Sequence, residues 1–453
     1  MTAAPAIAAA VSVAVAAVPA AAATTVAERA TALRRLADAL DRDGAALAAL
    51  CVAEIGTPCA QARALHVGSA VGCLRAYAEL AERHRFVDVR PAARGGTVEV
   101  RRAPVGVAVG IVPWNVPIYL ACQKLGAAVA AGCPLVLKPS PENIGAMTRF
   151  AALLDDLPLP PGMLQAVIGD ADVGRALVAD PRVAKVSFTG STAAGRAVAM
   201  VCAERSARIT LELGGKSAAI LLDDFDPDDA GTMRELFLAM LQNNGQVCGA
   251  QSRVLVPQHH AARFTAALAA LVDGLQVDRP TDPATDIGPL ATAAHAARVQ
   301  TMIDRALAGS VHLIAGGHTV PDGRFVAPHL FAVDDAGIEI ARDEVFGPVV
   351  TVLTYRDEAD AIALANDSPY GLSGSVWSVD PDRAVAIARG LRTGTVGINS
   401  KRILDFAAPF GGWRASGIGR ELGPEGIDAY LETTAILVPS ASTITHTTGE
   451  RRP

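Results

Sequence analysis

Apolar side chains recur at helical spacing early in the chain. Val26, Ala30, Leu33, Leu36, Ala37 and Leu40 share one face of a helix predicted over 25–50, and Arg29, Arg34, Arg35 and Asp38 mark the wet face. Helical segments continue to about His84. The period then changes to two. Residues 85–90 and 97–102 flank Ala93-Arg94-Gly95-Gly96, which predicts a β-hairpin around a Gly-Gly turn. The continuous apolar run 105–112 predicts a strand buried on both faces.

From there helices and strands alternate. Strands are expected at 134–138, 164–168, 183–188, 208–213 and 217–222, with helices at 118–131, 143–154, 173–179 and 192–203. A second series starts near Arg234, with helices at 234–242, 261–271, 291–308, 358–365 and 381–389. Its strands are expected at 252–256, 311–315, 349–355, 373–379 and 395–399. The run 434–438 arrives after both series and is free to pair with the early hairpin. Alternation of this kind calls for mostly parallel sheets, so the fold class is α/β, with two doubly wound domains.

The first 23 residues are almost wholly apolar but carry no Lys or Arg before Arg29 and are interrupted by Pro5 and Pro19. That is a poor signal peptide and a poor membrane span; a disordered or helical alanine-rich lead-in is expected. A chain of 453 residues with net charge −6 and no basic block offers nothing to nucleic acid or to an anionic membrane surface. Seven cysteines without a Cys-x-x-Cys pair fit a reduced, cytoplasmic setting. No zinc-type spacing occurs, and no metal site is expected.

Two phosphate-binding patterns fail on inspection. Gly214-Gly215-Lys216-Ser217 lacks the earlier P-loop glycine, which would fall at Thr210. Gly417-Ile-Gly419-Arg-Glu-Leu-Gly423 has one residue too many for a dinucleotide fingerprint and no strand before it. What remains is a set of polar words at predicted strand ends, where open α/β sheets bind ligands. These are Pro113-Trp114-Asn115, Lys138-Pro139-Ser140, Phe188-Thr189-Gly190-Ser191-Thr192 and Glu212-Leu213-Gly214-Gly215-Lys216. Further on, Cys248 lies in the polar loop Asn244-Gly245-Gln246-Val247-Cys248-Gly249. By itself it is either a nucleophile or an ordinary loop cysteine.

Taken together, in order, these words resemble the NAD(P)-dependent aldehyde dehydrogenase superfamily. The series continues with Ile287-Gly-Pro-Leu290, Glu344-Val-Phe-Gly-Pro348, Gly394-Thr-Val-Gly-Ile-Asn399, Pro409-Phe-Gly-Gly412 and Ser416-Gly-Ile-Gly-Arg-Glu421. The resemblance covers roughly residues 30–438. It implies an aldehyde dehydrogenase-like fold of two doubly wound α/β domains plus a small β oligomerisation element. The dinucleotide-binding domain would take residues 1–84 and 105–214, and the catalytic domain 215–429. The oligomerisation element would take 85–104 and 430–440, with a tail at 441–453.

The resemblance also implies roles. Cys248 is the nucleophile that forms a thiohemiacetal and then a thioester. Asn115 is the amide donor to the oxyanion, beside the Cys248 backbone N–H. Glu212, on a loop next to two glycines, is the base that activates the hydrolytic water. Ile111, Pro113, Trp114, Lys138, Ser140, Gly190, Ser191, Glu344 and Phe346 line the cofactor cleft, with Lys138 on the adenosine ribose and Glu344 on the nicotinamide ribose. Val116, Leu120, Gln123 and Phe410 form the aldehyde wall, with room for a medium or bulky apolar substrate. The partner is a small-molecule aldehyde, and a homodimer or homotetramer is expected.

Two departures matter. NAD-preferring members often carry Glu three residues after the lysine; here that residue is Pro141, and Glu142 follows it. NAD is the expected cofactor, with NADP left open. Members also have early strands before the first helix; an alanine-rich run in their place would leave an exposed sheet edge. Of the rival activities, a CoA-acylating dehydrogenase typically lacks the Glu212 carboxylate, and a cysteine hydrolase wants a histidine in a motif, which none of the nine supplies. A catalytically silent derivative of the fold would be expected to have lost Cys248 or Glu212; both are present.

Overall fold

The computed structural model describes residues 3–321 and 323–439; the expected tail at 441–453 lies outside them. The first sheet runs in the order Gly417–Ile418, Arg208–Glu212, Lys185–Thr189, Ala108–Ile111, Leu135–Lys138, Leu164–Ala166. All its pairs are parallel except the first. Register places Ile111 opposite both Lys138 and Phe188, and Thr189 opposite Glu212. The polar words therefore line up along one edge, at the carboxyl ends of adjacent strands.

The second sheet has seven strands, in the order His312–Gly316, His329–Ala332, Val349–Tyr355, Arg253–Pro257, Ala218–Leu221, Ser373–Trp377, Thr395–Ile398. Ala218–Leu221 is central to it, although its sequence position suggests the end of the first series. The reason is length: a parallel neighbour in the same sheet needs a crossover of a dozen or more residues, and only five separate Glu212 from Ala218. The strand His329–Ala332 was not legible, being four residues long after Pro328. A third sheet joins the hairpin Val87–Pro91 and Thr97–Pro104 to Leu431–Val438, antiparallel throughout, as the late apolar run suggested.

Helix Val26–Arg42 starts at a Thr25–Glu28 capping box and buries the stripe Ala30, Leu33, Leu36, Ala37, Leu40. Helix Pro117–Ala131 is buried on every side, which its alanines and Gly126 permit; Pro117 opens it and Gly132, at φ 84°, ends it. The lead-in is a helix, Ala3–Ala23. Its Ile7, Ala10, Val11 and Ala14 pack with Val109 and Val136 of the first sheet, and Gln165 Nε2 donates to Ala10 O at 2.8 Å. The edge strand Leu164–Ala166 pairs only with Leu135–Lys138; it is three residues long, half-buried, and Gln165 ties it to this helix. Among the described residues no single helix is long and apolar enough to cross a membrane; Ile7–Ala23 with Val26–Arg42 would pass only as a pair bent by 118°.

Candidate active site

Helix Ala230–Leu241 delivers the chain into three successive left-handed residues, Asn243 (φ 53°), Asn244 (φ 62°) and Gly245 (φ 73°). Asparagine tolerates that region because its short polar side chain can bond locally, and here both amides are engaged. Asn244 Nδ2 donates to Gly56 O at 2.9 Å and Pro289 O at 3.1 Å, and its Oδ1 accepts from Gly288 N at 2.7 Å. Gln246 Oε1 accepts from Ala291 N at 2.9 Å. The Ile287–Leu290 word thereby clasps the loop that presents Cys248. Cys248 itself is partly exposed.

Asn115 is 4% exposed, and its Nδ2 donates to Gln246 O at 2.9 Å, two residues before Cys248. Glu212 sits across the loop in a different setting. It is the last residue of a strand, paired with Gly417, so the expectation of a flexible loop is corrected. The carboxylate is 3% exposed and neither oxygen has a hydrogen-bond partner. Two glycines follow it for steric reasons: a β-carbon on Gly215 would lie 2.7 Å from Cys248 O, and one on Gly214 would lie 2.2 Å from Glu344 Oε2. The absence of side chains at this turn lets the Glu344 carboxylate and the Cys248 main chain approach it closely.

Burial pushes the Cys248 thiol up to about 12, with the carboxylates of Glu344 and Glu212 adding to it. Burial likewise raises Glu212 well above the usual carboxylate range; Glu421 raises it further, while Lys124 and Arg420 oppose. Lys124 and Glu421 are a buried ion pair at 2.7 Å, and Lys124 Nζ also donates to Ser187 Oγ and Thr189 Oγ1. Neither was singled out from the sequence. A lysine inside an otherwise small and apolar helix was the available signal for Lys124; Glu421 closes a quoted word but had no partner until the sheet brought it there.

Most of the residues expected at the cofactor cleft stand at the aligned strand ends, while Glu344 and Phe346 come from the loop before Val349–Tyr355. Lys138 is 6% exposed and sits near Glu142 and Asp170, with burial lowering its pKa. Ser140 Oγ donates to Glu142 Oε2. Gly190 N donates to Glu212 O at 3.0 Å, and Ser191 caps helix Thr192–Glu204 by accepting from Ala194 N. The remaining first-turn N–H groups of that helix have no intrahelical partner. They open on a cleft of about 580 Å³ lined by Ser191, Thr192, Arg196, Arg298, Glu344 and Tyr370. Glu344, lifted by burial to about 7, accepts from Gly215 N at 3.1 Å. Trp114 meets Phe346 edge-on at 5.5 Å, and His295, not anticipated, lies 5.2 Å from Trp114 with its Nε2 2.7 Å from Phe346 O. Ile111 is buried against the same sheet, and Pro113 stands half-buried beside Trp114. A helix N-terminus with Arg196 and Arg298 beside its cleft, and a buried lysine at a neighbouring strand end, suit a dinucleotide's pyrophosphate and ribose. Lys216 is buried, its Nζ donating to Ile340 O at 2.8 Å.

Val116, Leu120 and Phe410 are buried in the apolar cluster that includes Cys248, together with Ile403, Leu404 and Phe406, which the sequence reading passed over. Tyr119, in the helix that Val116 precedes, was also missed; its buried hydroxyl has no partner. Gln123 is 1% exposed with both amide atoms unpartnered.

Residues 1–436 match the model of the aldehyde dehydrogenase family. The chain belongs to that family; it is an aldehyde dehydrogenase. It is 45% identical over 399 residues to geranial dehydrogenase of Castellaniella defragrans, covering 88% of this chain and 83% of the relative. It is similar to the crystal structure of Mycobacterium tuberculosis aldehyde dehydrogenase complexed with NAD+, with TM-score 0.93, 38% identity and coverage of 98% and 92% of the two chains. A mutant of Pseudomonas syringae aldehyde dehydrogenase C, complexed with NAD+ and octanal, gives TM-score 0.91 and 36% identity, covering 96% and 89%.

Proposed function

We propose that the enzyme oxidises a medium or bulky apolar aldehyde to its carboxylic acid through a covalent bond to Cys248. What carries the reading is the buried Glu212 carboxylate, unpartnered on both oxygens at the turn that backs onto Cys248. A buried carboxylate left without a partner is suited to take a proton from whatever enters the site.

Cys248, as thiolate, attacks the carbonyl carbon, and the new oxyanion takes hydrogen bonds from Asn115 Nδ2 and the Cys248 N–H. The thiol stands at about 12 in the free enzyme, so it must be deprotonated as substrate arrives. NAD, when bound, supplies the hydride acceptor. Lys138 would hold its adenosine ribose, Ser191 and the helix start its pyrophosphate, and Glu344 its nicotinamide ribose. Glu142 beside Lys138 favours NAD, since a carboxylate there repels a 2′-phosphate. Glu212 then activates the water that releases the acid from the Cys248 thioester.

The apolar side chains around Cys248 and the kinship with a geranial dehydrogenase support an apolar substrate. The open edge of Leu431–Val438, where Leu437 is 74% exposed, supports pairing with a second copy, with solution mass as the check. The decisive assay is NADH formation over an aldehyde panel, wild type against Cys248→Ala. Turnover should fall by roughly 10⁴–10⁶ in the variant, as for loss of other nucleophiles. No cofactor reduction with any aldehyde, with or without CoA, overturns the reading.

A further inference from the structure

A chain of buried hydrogen bonds reaches Asn115 from a part of the molecule that no role has been given. Thr57 follows the left-handed Gly56 at the end of helix Gly44–Ile55, and His66 lies in the π-helical turn Arg63–Gly68. Both are 0% exposed. Thr57 Oγ1 donates to Asn243 Oδ1 at 2.6 Å and lies 3.0 Å from His66 Nε2. Asn243 Nδ2 donates in turn to Asn115 O at 3.0 Å, and Asn243 N donates to Gln61 Oε1 at 2.9 Å.

Donor counting gives this chain one direction. Two carbonyls, Asn115 O and Gln246 O, lie near Asn243 Nδ2, which fixes that amide with Oδ1 facing Thr57. The threonine hydroxyl has one proton, and Asn243 Oδ1 takes it. The 3.0 Å contact must then be His66 Nε2–H donating to Thr57 Oγ1. Burial holds His66 neutral, with its pKa near 3, so Nδ1 carries no proton; Nδ1 is the atom left without a partner. Each bond polarises the next in the same sense. The last one grips the backbone of the residue whose side-chain amide faces the thiol loop. Single π-turns within helices are rare and recur at functional sites.

We propose that His66, Thr57 and Asn243 are positioning residues for the reaction, a one-way hydrogen-bond chain that fixes Asn115 as donor to the oxyanion on the Cys248-bound substrate. This rests on the oxyanion role proposed for Asn115. None of the three touches substrate. Their effect travels through the Asn115 main chain, and through the strained Asn243 that begins the catalytic loop. A side chain shifted by less than an ångström at such a donor costs rate without costing binding.

The test is a double-mutant cycle read by the pre-steady-state rate of NADH formation from octanal. Thr57→Val removes the relaying hydroxyl at constant shape, and Thr57→Ser keeps it. The burst rate should fall about tenfold in Thr57→Val, less than the 10²–10³ expected for loss of the donor itself. It should recover in Thr57→Ser, with KM for octanal and the dissociation constant for NAD within twofold of wild type. In an Asn115→Ala background Thr57→Val should slow the burst no further. His66→Met against His66→Gln, which retains an N–H donor, repeats the cycle from the far end and carries it alone if Thr57→Val does not fold. Equal slowing in both backgrounds, or no slowing by either donor-less variant, overturns the inference while leaving the Asn115 role intact. If Asn115→Ala itself leaves the burst unchanged, the oxyanion assignment fails first, and the positioning chain falls with it.

Discussion

Asn115 and Glu212 lie on either side of the Cys248 loop, and both are buried, but their surroundings are opposite. The amide of Asn115 is held at 2.9 Å on Gln246 O, and its own carbonyl is held by Asn243. The carboxylate of Glu212 has no hydrogen bond at all and is lifted far above its ordinary pKa by burial and by Glu421. A donor that stabilises a transient charge works best when it is fixed beforehand, because no reorganisation is then needed during reaction. A base that must lose and regain a proton works best when nothing holds either state too firmly. One of the two groups is rigid and the other is poised.

That contrast breaks most visibly at Glu212. Glu212→Gln keeps the shape and removes the base, so steady-state turnover should fall by about 10²–10⁴ while KM changes little; kinetics over an aldehyde concentration series checks it. Asn115→Ala should slow formation of the covalent adduct by about 10²–10³, read as a lower burst rate, because the fixed donor is lost and no mobile group replaces it. The smallest effect concerns stability. In the folded state Glu212 keeps its proton well above its unfolded pKa of about 4.3. Between those values the folded protein binds more protons than the unfolded one, so this residue lowers stability as pH rises. Glu212→Gln should therefore gain on wild type between pH 5 and pH 7, by up to ~1.4 kcal/mol per pH unit, in urea unfolding without cofactor. A constant difference between the two proteins across that range would show that Glu212 ionises freely in the fold.

The same contrast explains what could be read before the fold was seen. Both groups sit in quoted words, and Asn115, Lys138 and Glu212 stand at or just beyond the carboxyl ends of strands of the first sheet. Periodicity supplied nearly every element of both sheets, failing where a strand was too short for a pattern, as at His329–Ala332 and Gly417–Ile418. It also assigned Ala218–Leu221 to the wrong series, since alternation along the chain does not say which sheet a strand joins. The environments were beyond its reach. Nothing in the sequence near Glu212 signals that Lys124 and Glu421 will flank it, because the three come from a helix, a strand end and a late loop. Thr57 and His66 lie far upstream of Asn243 and outside every quoted word.

The most direct test of a fixed donor and a poised base is the burst phase of Glu212→Gln with NAD and an aldehyde that the wild type oxidises. The variant should release close to one NADH per active site at a rate near wild type, then stall, with the acyl group on Cys248 detectable by intact-protein mass. A variant that turns over steadily without a burst, or that forms neither NADH nor an acyl adduct, would contradict the assignment of Glu212 to the hydrolytic step.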